Sequence, residues 1–108
     1  MSANFFDITD AEFDSKVLAS STPTIVDIWA PWCGPCKQLT PLLEAVAKDY
    51  AGRVNVAKLN MQENEGVPGK YGVSSLPTML LIKDGEVVQR VSGFTRNSVI
   101  ALFEQAAG

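Results

Sequence analysis

The chain has 108 residues, 46% of them hydrophobic and 19% charged, with a formal net charge of −3 and no histidine. That size and balance predict one globular domain, residues 1–108, with a substantial apolar core, and argue against a disordered chain. No Lys/Arg cluster stands ready to meet phosphates, which argues against nucleic acid as a partner, and no apolar run approaches a membrane span. The opening stretch MSANFFDITD has neither a basic segment nor the apolar heart of a secretion signal, so a cytoplasmic protein is expected.

In chain order, the first helix is signalled by TDAEF. Thr9 with Glu12 three residues later is a capping-box pattern, and Phe13, Val17 and Leu18 follow as the apolar face. In TPTIVDIWA, Thr22 to Ala30, the residues Ile25, Val26, Ile28 and Trp29 form a nearly continuous apolar run, which predicts a strand buried on both faces. In CKQLTPLLEAVAKDY, Leu39, Leu42, Leu43, Val46 and Tyr50 recur at helical spacing. Pro41 removes one bond of that helix and is expected to kink it. RVNVAKLN, Arg53 to Asn60, predicts a strand, and NEGVPGKYG a short helix or turn broken by Gly and Pro. TMLLIKDGEVVQRVSG predicts two strands joined at Asp84-Gly85, a strong hairpin signal. Thr95 caps a last helix, with Val99, Ile100, Leu102 and Phe103 expected to face the core. The order β-α-β-α-β-α-β-β-α predicts an α/β fold: a central mixed sheet of about five strands flanked on both faces by about four helices.

Both cysteines of the chain lie in WCGPC, Trp32 to Cys36. As a structural staple the pair closes a very small loop, worth only about 2 kcal/mol in chain entropy, and joins no distant elements. As half of a zinc site it lacks company, since structural zinc takes four ligands, mostly Cys and His, and the chain has two Cys and no His. A pair of inert core cysteines is the plain alternative. Its position argues for reactivity instead. The pair sits where a buried strand ends and a helix begins, and unpaired N–H groups at a helix start favour a thiolate at Cys33. Cys33 is expected to be the first helical residue and the more exposed of the two. Cys36 lies one turn further on the same face, within bridging reach. Pro35 is tolerated in a first turn, whose N–H groups lack intrahelical partners.

WCGPC preceded by VDIWA and followed by LPT, then DGE, then SGF, resembles the thioredoxin family over nearly the whole chain. The resemblance implies the thioredoxin fold and reduction of protein disulfides. It implies that Cys33 attacks a partner's disulfide and that Cys36 resolves the mixed disulfide, leaving Cys33 and Cys36 bonded. Asp27 interrupts the apolar strand on the face of Ile25 and Trp29. In a central strand it is buried, and burial raises a carboxyl pKa toward the range of a general base. The resemblance gives Asp27 that proton-transfer role and places Lys58 beside it. It makes Pro77 a cis proline that leaves the Leu76 N–H open to a substrate backbone. Trp32, Gly34, Pro35, Leu76, Pro77 and Gly93 then form a flat apolar docking patch, with Trp29 as packing behind it.

Two positions depart from the family pattern. Gln62 stands where Asp is frequent, and Phe94 where Ala is common, so Phe94 is expected to enlarge the docking rim. The resemblance further implies no bound cofactor or metal. Electrons would come from NADPH through a flavin-dependent thioredoxin reductase, and disulfide-containing proteins would be the substrates of a monomer. The Gly-Pro pair and the missing histidine put no side-chain cation between the thiols, which predicts a reductant. The rivals are an oxidase or isomerase of an oxidising compartment and a non-catalytic module that merely presents the patch.

Overall fold

The computed structural model describes residues 3–108; Met1 and Ser2, the start of the MSANFFDITD stretch, lie outside it. A five-stranded mixed sheet carries the fold, in the order β1 (Phe5–Ile8), β3 (Asn55–Asn60), β2 (Thr24–Trp29), β4 (Thr78–Lys83), β5 (Glu86–Ser92). The β1–β3 and β3–β2 pairings are parallel, and the β2–β4 and β4–β5 pairings antiparallel. The central strands β2 and β4 are buried on both faces until their last residue, which is why their sequences read as unbroken apolar runs.

The helices cover the two faces. On one side α2 (Gly34–Lys48) and α4 (Arg96–Ala107) pack against Phe5, Ile25, Val56, Met79 and Leu81 through Leu39, Leu43, Ala47, Val99, Leu102 and Phe103. On the other, α1 (Asp10–Phe13) and α3 (Gly66–Lys70) cover Ile8, Val26, Ile28, Leu59, Leu80 and Ile82. After Phe13 the backbone widens into π-helical geometry over Asp14–Leu18, where the Ala19 N–H donates to the Asp14 carbonyl at 2.9 Å. The helix α2 runs as one element through Pro41, which lies on its exposed side.

Local signals account for the ends. The Glu12 carboxylate accepts from the Thr9 N–H at 3.2 Å, and Thr95 and Ser98 exchange side-chain and backbone bonds of 2.8 and 3.0 Å. The β4–β5 turn needs φ > 0 at both central positions, and Asp84 (52°) and Gly85 (80°) supply it. One detail differs from expectation: Ile100 is only half-buried, and Ala106 takes the fourth core position of α4. The helix face runs Val99, Leu102, Phe103, Ala106, a three-four spacing from which Ile100 is rotated away.

Candidate active site

The site forms where β2 ends and α2 starts. Cys33 is not the first helical residue but the N-cap, with extended backbone (φ −90°, ψ 108°), and the helix opens at Gly34 and Pro35. From the cap its Sγ accepts the Cys36 N–H at 3.2 Å. A helix has orphan N–H groups in its first turn, and here one of them is aimed at sulfur, the atom that carries the charge in a thiolate. Cys33 and Cys36 are joined as a disulfide with their Cα atoms 5.3 Å apart.

Exposure departs from expectation. Cys33 is only 6% accessible and Cys36 1%, so the order is as expected but neither sulfur is freely presented. Both pack with Ala30, Trp29 and Leu76 in a small cluster of their own, which is what covers Cys33. The surface beside them belongs to Trp32, 71% exposed, and to the exposed Gly34 and Pro35. Leu76 is half-buried and Pro77 buried, with a cis bond between them. The Leu76 N–H donates to no group among the described residues. Gly93, half-buried and with φ of +71°, donates its N–H to the Pro77 carbonyl at 2.8 Å.

Asp27 is fully buried, and neither carboxyl oxygen has a hydrogen-bond partner among the described residues. Side chains alternate along a strand, so Asp27 shares with Ile25 the face of β2 that packs under α2. Burial without a bond to the charged form pushes its pKa up to about 7, with the Lys58 ammonium pulling weakly the other way. Lys58 stands opposite Asp27 on β3, and Asp7 opposite Lys58 on β1. The ammonium lies 4.6 Å from the Trp29 ring centroid, a cation–π seat. Lys58 and Trp29 line an open cleft of about 270 Å³ together with Asp7, Asn60, Glu63 and Asn64.

The two positions that depart from the family pattern sit apart from the sulfurs. Gln62 is exposed, its N–H donating to Asn60 at 3.0 Å. Phe94 is half-buried against the core under α2 and α4, so its ring serves packing rather than standing free as a rim. Two other side chains escape sequence reasoning. The Thr78 hydroxyl donates to the Ser75 carbonyl at 2.6 Å, and the Arg90 guanidinium donates to the carbonyls of Tyr71 and Gly72. Their partners are backbone oxygens, which every residue owns, so no pattern of residue types marks the pairing.

A family model described as Thioredoxin matches residues 4–105. The chain belongs to the thioredoxin family. Family members are thiol–disulfide oxidoreductases, and so is this enzyme. Relatives include the Thioredoxin of Pseudomonas aeruginosa, 46% identical over 98% of both chains, and Thioredoxin 2 of Chlorobaculum tepidum, 46% identical over 94% of this chain and 93% of that one. The Thioredoxin of Haemophilus influenzae is 45% identical over 89% of this chain and 90% of its own. Among the described residues no group of three or more Cys, Asp or Glu side chains is placed to hold a metal, and no helix is long and apolar enough to cross a membrane.

Proposed function

We propose that this chain, folded as one domain over residues 1–108, is a monomeric, cytoplasmic protein-disulfide reductase and a general electron donor for redox homeostasis. The observation that carries the reading is the Cys36 N–H aimed at Cys33 Sγ across a disulfide at a helix start. In the reduced state the Cys33 thiolate is favoured by that N–H and by the helix dipole. It attacks one sulfur of a partner's disulfide; that S–S bond breaks, the other sulfur leaves as a thiolate, and a mixed disulfide joins Cys33 to the partner. Cys36 then gives its proton to the Asp27 carboxylate and attacks Cys33 Sγ. The Cys33–partner bond breaks, the second partner sulfur leaves and takes up a proton, and two electrons have passed from the cysteine pair to the substrate.

Asp27 suits the second step because a pKa near 7 lets it hold or release a proton under ordinary conditions. Its place beneath α2 puts it under the helix that carries Cys36. Lys58 tempers that pKa from the neighbouring strand. Trp32, Gly34, Pro35, Leu76, Pro77 and Gly93 form the docking surface, with the open Leu76 N–H positioned to meet a partner backbone. The oxidised pair is returned to the dithiol by a flavin-dependent thioredoxin reductase drawing on NADPH, so the chain itself needs no bound cofactor.

Turnover of a protein disulfide with dithiothreitol as donor tests this reading. Cys33→Ser should abolish activity above background, while Cys36→Ser should accumulate mixed disulfides through Cys33. Retained activity in Cys33→Ser refutes the mechanism. A redox midpoint well above the glutathione poise of the cytosol would turn the reductant into an oxidant.

A further inference from the structure

The loop that leads to Leu76 is fastened at one end to the edge strand β5 and at the other to Gly93, the residue that follows that strand. At its start, Arg90 donates from Nη1 to the Tyr71 carbonyl and from Nη2 to the Gly72 carbonyl at 2.9 Å. At its end, the Gly93 N–H holds the Pro77 carbonyl at 2.8 Å. Between these points the Val73 N–H donates to Pro68 at 2.9 Å, and Thr78 Oγ1 holds Ser75. Gly93 and Thr78 restrain the C-terminal half of the loop, and Arg90 is the side chain that ties its N-terminal half across to the sheet. The α3 helix that precedes the loop is pinned at both ends by charge. The Asp10 carboxylate accepts the Gly66 and Val67 N–H groups at 2.8 and 2.9 Å, and the Arg90 cation meets the carbonyls of the C-cap Tyr71 and of Gly72 just beyond it. Each charge has the sign the helix dipole favours at that end.

Arg90 is exposed and far along the chain from Cys33, and it pairs on β4 with Leu80, which faces α1 and α3 rather than α2. It therefore acts on the sulfurs through the loop alone. Leu76 is the point where the loop reaches them, packing on both the cysteine cluster and the α1/α3 core.

We propose that Arg90 is a positioning residue for partner docking: its two hydrogen bonds hold the Tyr71–Pro77 loop so that the Leu76 main chain is fixed in place for an extended segment of a substrate protein. This role rests on the docking reading above. A small disulfide needs only the sulfurs, whereas a protein disulfide needs the loop edge as well, so the two substrates separate positioning from general damage. Preorganised loops contribute affinity by removing an ordering cost on binding.

The test uses the full chain in its reduced form, mixed in single turnover with insulin or with bis(hydroxyethyl) disulfide. Arg90→Met should slow insulin reduction about fivefold, the scale of one ordinary hydrogen bond, and leave the small disulfide unchanged. Arg90→Lys should recover part of the loss, since an ammonium can reach one of the two carbonyls. Amide exchange at Val73, whose N–H is held by the Pro68 carbonyl, should quicken in Arg90→Met while α2 stays protected. Pro77→Ala serves as the docking control. Loss on insulin in Pro77→Ala but not in Arg90→Met overturns the Arg90 role and leaves the docking reading standing. No selective loss in either variant removes both. Equal loss on both substrates in Arg90→Met reduces Arg90 to a structural residue and also overturns the proposal.

Discussion

The two faces of the sheet solve opposite problems at adjacent positions of one strand. On the α1/α3 side, β2 presents Val26 and Ile28 to an apolar cluster that runs from Ile8 and Phe13 to Leu80 and Ile82. On the α2/α4 side, the same strand presents Ile25 and then Asp27, a fully buried acid with no hydrogen bond to its carboxylate among the described residues. The first face stabilises the fold at every pH. The second carries a titratable group under the active-site helix, and its ionisation is costly because a carboxylate in that place has lost water and gained nothing equivalent. The rung through Asp27 shows the contrast across the whole sheet: Asp7, Lys58, Asp27, Met79 and Val91 lie side by side, charged at one edge and apolar at the other.

The largest expected effect follows from Asp27. Its pKa in the fold, about 7, lies above the 3.8 of a free carboxyl. Between those values the unfolded chain gives up a proton that the folded chain keeps, so the contribution of Asp27 to stability is greatest below about pH 4 and falls as pH rises to about 7. The fall approaches about 4 kcal/mol, at about 1.4 kcal/mol per pH unit. Asp27→Asn should flatten that slope, making the variant more stable than the parent at neutral pH while slowing release of the mixed disulfide. Guanidinium unfolding of both proteins across the window measures it, and parallel slopes would show that Asp27 ionises freely.

On the apolar face, Ile28→Ala should cost about 3 kcal/mol by leaving a cavity, equally at acid and neutral pH. The same unfolding series reads it, and a pH-dependent loss would blur the distinction between the faces. The smallest effect belongs to Lys58→Met. Removing the cation that lowers the Asp27 pKa should move the pH midpoint of mixed-disulfide release upward, by less than about one pH unit. Stopped-flow release rates against pH would detect it; an unmoved midpoint would confine Lys58 to its place over the Trp29 ring.

Much of this arrangement is legible in the chain itself. The apolar run around Ile25 and Ile28 marks a central strand, Asp84-Gly85 marks the hairpin, and Thr9 and Thr95 mark helix starts, because each depends on neighbours within a few residues. Cys33 shows the limit of that reasoning. Spacing and helix onset bring its sulfur to an N–H, but its coverage by Leu76 comes from a segment that meets it only in the fold. Ile100 shows the same on a smaller scale: it is as apolar as Val99, and only the face that α4 turns to the sheet leaves it half-outside. Arg90 carries no sequence signal at all, since its partners are main-chain carbonyls.

The sequence by itself determined the order of strands and helices, the place of the cysteine pair at a strand-to-helix junction, and the presence of one acid in a buried run. These are local matters of periodicity, turn conformation and hydrogen-bonding capacity. Tertiary structure alone decided that Asp27 would be stripped of partners beneath α2, that Asp7 would join its rung, and that β5 would hold the loop before Pro77. Desolvation and hydrogen bonding to main-chain oxygens depend on which distant segments close around a group, and that is fixed only when the chain packs.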